Sequence, residues 1–79
     1  MQRAYVLIET VGGKSQEVAD TLRKIPGIVA SDVVTGPYDV MLVAQGADAT
    51  AIGRLVLNEV RGLPGITKTL TLLAVETVE

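Results

Sequence analysis

The sequence predicts an α+β plait in βαββαβ order, one four-stranded antiparallel sheet with two helices on one face. Three observations carry that expectation. First, Ile25-Pro26-Gly27-Ile28 recurs as Leu63-Pro64-Gly65-Ile66, a displacement of 38 residues. Second, the same displacement carries Val18, Leu22 and Ile25 onto Val56, Val60 and Leu63, so the apolar faces of two helices share one register. Third, each half reads as strand, helix, strand, with no stretch left over for a long loop.

The first strand is expected over Arg3–Thr10, rich in Tyr, Val, Leu and Ile, and Gly12-Gly13 ends it. A helix follows from Lys14 to Lys24, with Val18, Leu22 and Ile25 at the i, i+4, i+7 spacing of one buried face. Gly13, Lys14 and Ser15 are all candidates for its N-cap. Pro26-Gly27 terminates it, because Gly suits a left-handed cap and Pro cannot extend the turn. The second strand is expected over Ile28–Thr35 and the third over Tyr38–Gln45, with Gly36-Pro37 breaking the chain between them. Asp48 is the expected N-cap of a second helix, Ala49–Arg61, whose apolar face is Ile52, Leu55, Val56 and Val60. Gly53 inside that helix costs about 1 kcal/mol relative to Ala, and close approach of helix to sheet is its expected use. Pro64-Gly65 ends the helix, and the last strand runs from Ile66 to about Val75. Two right-handed βαβ units that interleave their strands make the ferredoxin-like plait.

A chain of 79 residues is one small domain, residues 1–79. At this size only about 60% of the unfolded surface can be buried. Yet 48% of the residues are apolar and mean hydropathy is +0.41. On the first strand Tyr5 and Leu7 alternate with Ala4, Val6 and Ile8, and on the third Met41 and Val43 alternate with Val40, Leu42 and Ala44. Both faces of both strands are therefore apolar, whereas a sheet open to water on one side alternates apolar with polar. The helix-free face is expected to be buried against a second copy, making the protein an obligate oligomer. Runs such as Val40–Ala44 are far too short for the ~18–20 residues of a membrane span. Met1-Gln2-Arg3 leads straight into a strand, without the charged and apolar regions of a signal peptide.

The composition excludes much chemistry. With no Cys and no His there is no disulfide, no thiolate nucleophile, no imidazole base, and none of the usual ligands for zinc or iron–sulfur. No cofactor is expected. Net charge is −2 and the seven basic residues are scattered, so the phosphate-neutralising stripe of a nucleic-acid binder is missing. Tyr5 and Tyr38 are the only aromatics, too few for a base-stacking platform. Among the carboxylates, Asp48 is explained as a cap, Glu17, Asp20 and Glu59 as solvated helix faces, and Asp32 as an edge charge. Gly12-Gly13-Lys14-Ser15 lacks the first glycine of a phosphate-binding loop. An enzyme is not expected.

Two features remain. In Thr35-Gly36-Pro37-Tyr38-Asp39 a phenol, a carboxylate and freed backbone N–H groups stand together at the rim of an apolar sheet. Asp39 either accepts a local N–H, as turn aspartates do, or supplies an acceptor to a zwitterionic ligand whose carboxylate takes the N–H groups. In the last strand Thr67, Thr69 and Thr71 alternate along one face, continued by Leu73 and Val75. That row is either β-propensity on a half-exposed face or a line of hydroxyls for a polar ligand or a neighbouring subunit.

Across nearly its whole length the sequence resembles the effector-binding domain of the leucine-responsive regulator (Lrp)/AsnC family, the regulation-of-amino-acid-metabolism (RAM) domain. The resemblance rests on Ala4-Tyr5-Val6-Leu7-Ile8, on the two Pro-Gly turns, on Gly36-Pro37-Tyr38-Asp39 and on the Thr-rich last strand. It implies a cytoplasmic sensor whose sheets pair into homodimers, the dimers assembling further into an octamer or decamer. It also implies an amino-acid ligand held between dimers by Gly36, Tyr38 and Asp39, with Thr69 and Thr71 the nearest last-strand candidates. Family regulators carry an N-terminal helix-turn-helix, and here only Met1 and Gln2 precede the first strand. A stand-alone version is therefore expected, without direct nucleic-acid or membrane binding, acting through a full-length family regulator. A dimeric α+β barrel enzyme and a purely structural oligomerisation module share the topology and are the alternatives.

Overall fold

The computed structural model describes residues 1–75. In it β1 (Gln2–Thr10), α1 (Ser15–Arg23), β2 (Ile28–Val33), β3 (Val40–Gly46), α2 (Ala49–Leu55) and β4 (Ile66–Leu73) follow one another in βαββαβ order. The sheet is antiparallel throughout, in the order β2-β3-β1-β4. Asp48 caps α2 as expected, its Oδ1 accepting from the Ala51 N–H at 2.9 Å. No side chain caps α1, where Lys14 holds the cap position. Glu76 and Glu79, the last two of the sequence's nine Asp and Glu residues, lie outside the described residues.

The core lies between the sheet and the helices. Ala4, Val6 and Ile8 of β1 and Val40, Leu42 and Ala44 of β3 are fully buried beneath Val18, Ala19 and Leu22 of α1 and Ile52, Val56 and Val60 of the second helix. That helix departs from the expected regular one. Past Leu55 it continues as a π-helical turn over Val56–Val60, closed by the Arg61 N–H donating to the Val56 carbonyl at 2.9 Å.

The repeat is visible in three dimensions. Gly27 has φ +96° and Gly65 φ +94°, a region that only glycine enters cheaply. Each Pro-Gly turn sits under the helix of the other half. A Cβ on Gly27 would stand 3.3 Å from Leu55, and one on Gly65 would stand 3.3 Å from Val18. Gly53 is different, because a Cβ there would meet nothing within 4 Å. The expected close approach of helix to sheet is absent at that position.

The helix-free face is apolar at its centre and charged at its ends. Register places Tyr5 and Leu7 beside Val43 and Met41 on one side and Leu72 and Leu70 on the other. Glu9 pairs with Lys68 at one end, and Arg3 with Gln45 at the other. Leu70 is 41% and Leu72 48% exposed. The helices lie chiefly over β1, β2 and β3; Ile66 at the start of β4 packs against the core, and Leu73 at its far end is half exposed on the opposite side from Leu70 and Leu72.

The two classes of glycine should respond oppositely to a methyl group. At fixed protein concentration, Gly53→Ala should raise unfolding stability by roughly 0.5–1 kcal/mol. Gly65→Ala should lower it by about 1–3 kcal/mol. Urea denaturation measures both, and a Gly53→Ala chain no more stable than the parent would contradict the open space at that site.

Candidate functional site

Between Val33 and Val40 the chain leaves the sheet, earlier and later than the expected strand ends, so Tyr38 and Asp39 belong to the connection rather than to β3. The reason lies in how Asp39 bonds. Its N–H donates to the Ile8 carbonyl at 2.9 Å, and its own carbonyl accepts from the Val34 N–H at 2.9 Å. Its Oδ2 accepts from the Thr10 N–H at 2.8 Å. One residue thus joins the end of β2, the start of β3 and the end of β1. The intrachain partner of the carboxylate is not a local N–H but the Thr10 backbone amide, 29 residues away in sequence. Asp39 Oδ1 has no partner among the described residues and keeps contact with solvent, because no half-buried side-chain oxygen among them is both enclosed and unpaired.

The rest of the connection is open. Thr35, Gly36 and Pro37 are exposed and Tyr38 is half-buried. Gly36 has φ +148° and would meet nothing within 4 Å if it carried a Cβ. The N–H groups of Thr35, Gly36 and Tyr38 have no acceptor among the described residues. The connection therefore carries three N–H groups without an acceptor among the described residues and one carboxylate oxygen open to solvent.

The threonine row is rearranged. Thr69 and Thr71 pair with Ile8 and Val6, which places them with Leu73 on the helix side of β4. Thr67 drops out of the row at a register shift opposite Glu9 and Thr10. Its hydroxyl donates to the Glu9 carbonyl at 3.2 Å and approaches Glu9 Oε1 at 2.9 Å. Thr69 is half-buried beside a surface cleft of about 460 Å³ that Arg61, Ile66, Thr67 and Lys68 also line.

Gly36, Tyr38 and Asp39 lie together in one connection, and Thr69 and Thr71 lie two strands away across β1. Ile8 is the link, bonded to Asp39 on one side and paired with Thr69 on the other. Two strand spacings amount to roughly 10 Å. Sequence reasoning missed Thr10, the partner of Asp39. The signal was a polar residue closing the apolar stripe Ala4, Val6, Ile8, since a hydroxyl and amide on a core face need partners. No cluster of three or more metal-ligating side chains occurs among the described residues. No helix among them is long and apolar enough to cross a membrane.

Comparison with known proteins places this geometry. Residues 3–79 match the family model of the Lrp/AsnC ligand binding domain. The chain is 32% identical over 79 residues to an uncharacterised HTH-type transcriptional regulator of Pyrococcus furiosus, covering 96% of this chain and 53% of that protein. It thus spans about half the length of the curated relatives it matches. Among solved structures, a protein of Thermus thermophilus superposes with a TM-score of 0.92 at 29% identity, over 100% of this chain and 99% of that one. A transcriptional regulator of Neisseria meningitidis, solved as its L-Met complex, shares the fold with a TM-score of 0.83 at 20% identity, over 99% of this chain and 52% of that one. The plait is therefore that of known structures, and the chain belongs to the Lrp/AsnC ligand-binding-domain family.

Proposed function

We propose that the chain is a non-catalytic amino-acid sensor that works as an oligomer and acts on transcription through a partner carrying the DNA-binding part. The observation that carries this reading is the connection itself, where three N–H groups without an acceptor among the described residues share one short segment with the solvent-facing Asp39 oxygen. A zwitterion needs that pairing of donors for its carboxylate with an acceptor for its ammonium. Gly36, Tyr38 and Asp39 hold the polar head, and Thr69 and Thr71 supply hydroxyls. The Neisseria relative's L-Met complex and the HTH-type name of the Pyrococcus relative support the ligand class and the partner class.

Distance decides how the threonines contribute. An amino acid carries its ammonium and carboxylate on one carbon, so its head cannot reach from Asp39 across β1 to β4, roughly 10 Å away. Thr69 and Thr71 therefore serve a turn brought by another copy, and the site is completed by assembly. The apolar sheet face supports the first step of that assembly, a homodimer that covers Tyr5, Leu7, Met41, Val43, Leu70 and Leu72. Dimers then join into the larger ring, an octamer or decamer. A second reading, a purely structural module, is favoured by the bond from Thr10 to Asp39, which already gives the carboxylate a use inside the fold.

Calorimetric titration with the twenty amino acids separates the two. The sensor reading expects at least one to bind at millimolar affinity or tighter. Asp39→Asn, which keeps an acceptor for Thr10 but removes the charge, should then weaken binding tenfold or more, on the order of 1.4 kcal/mol. Absence of binding by every amino acid would leave the structural module. Leu72→Glu should convert the assembly to monomers in light scattering, and an unchanged mass would rule out pairing through the sheet face.

A further inference from the structure

Thr10 closes the helix-side stripe of β1 and is only 9% exposed. A buried hydroxyl and amide are tolerated only when both are bonded, and here both are. The amide donates to Asp39 Oδ2 at 2.8 Å, and the hydroxyl lies 2.9 Å from that of Ser15, the first residue of α1. Beyond the register shift between Glu9 and Thr10, Thr10 pairs with Ile66 of β4, and its amide is left to the β3 side, where the Ile8 carbonyl already meets the Asp39 N–H. A continuous chain of contacts thus runs from the turn to the first turn of α1, through Asp39, Thr10 and Ser15.

We infer that Thr10, held by Ser15, is the positioning residue of the amino-acid site, so that the turn's affinity is set from the N-terminal end of α1. The ligand in this statement rests on the sensor reading above, whereas the contact chain does not. With Oδ2 fixed by the Thr10 amide, Asp39 presents Oδ1 in one orientation and loses little rotamer freedom when a ligand binds. By reciprocity, a ligand that engages Asp39 tightens the Thr10–Ser15 contact and the start of α1.

The test is a set of hydroxyl variants titrated with whichever amino acid binds the wild-type chain most tightly. Thr10→Val keeps the amide and the side-chain shape but removes the hydroxyl. It and Ser15→Ala should each weaken binding roughly three- to tenfold, and Thr10→Ser should restore it. Ser31→Ala is the control. It removes another buried hydroxyl bond, 3.0 Å to the Ala19 carbonyl, and should lower the melting temperature while leaving affinity unchanged. Wild-type affinity in Thr10→Val overturns the inference. If no amino acid binds the wild-type chain, the sensor reading fails on its own account. Amide hydrogen exchange then reads the contact chain directly. Faster exchange at position 10 in Ser15→Ala supports the positioning role, and unchanged protection there overturns it.

Discussion

Burial of Ala4, Val6 and Ile8 under two helices sets which way β1 faces, and every other strand takes its register from β1 directly or through β3. Because side chains alternate with a period of two, a slip of one residue would carry this stripe to the other face and replace it with Arg3, Tyr5, Leu7 and Glu9. Two charges would then enter the core, at a cost no packing gain could offset. The same constraint fixes the far end of the strand. Once Ile8 is placed, its carbonyl meets the Asp39 amide and Thr10 comes within reach of the Asp39 carboxylate. The shape of the turn thus follows from the packing of the strand beneath it.

Charge plays a smaller part, and where it matters it acts locally. On α1 the Gln16 amide and the Arg23 guanidinium hold the Asp20 carboxyl below its usual range. The pair is exposed, so its weight in stability is small. Arg23 has a second use. Its Nε and Nη2 donate to the Ser31 carbonyl at 3.0 and 2.7 Å, tying α1 to the edge strand β2, where Asp32 stands exposed. An edge guarded in this way resists the addition of further strands.

Much of the plait was legible because its signals are local. The helical spacing of Val18 and Leu22, the Pro-Gly stops and the Asp48 cap each act within a few residues of where they are read. What escaped depends on partners far along the chain. Asp39 looked like a turn aspartate because its acceptor geometry is shared by local and distant amides, and only the fold brings Thr10 to it. The threonine row looked continuous because a strand pattern does not announce a register shift, and Thr67 was lost to one. Gly53 invited a packing role that the space around it does not require. The π turn at Val56–Val60 left no trace in the apolar spacing, since Val56 and Val60 face the sheet either way. The five candidate residues were legible as chemistry but not as geometry, which divides them between the connection and the far edge strand.

The strand order also bears on how the molecule acquires its structure. β1 pairs with β3 and β4, both made late, while α1 and β2 separate it from either partner. Only β2 and β3 are sequence neighbours joined by a short connection, and a short loop closes far sooner than a long one. Synthesised from its N-terminus, the first strand must wait unpaired until the third has emerged, its apolar residues exposed meanwhile. The hairpin carrying Gly36, Tyr38 and Asp39 is thus the earliest sheet contact open to the chain, and the connection singled out as the candidate site doubles as the seed of the sheet.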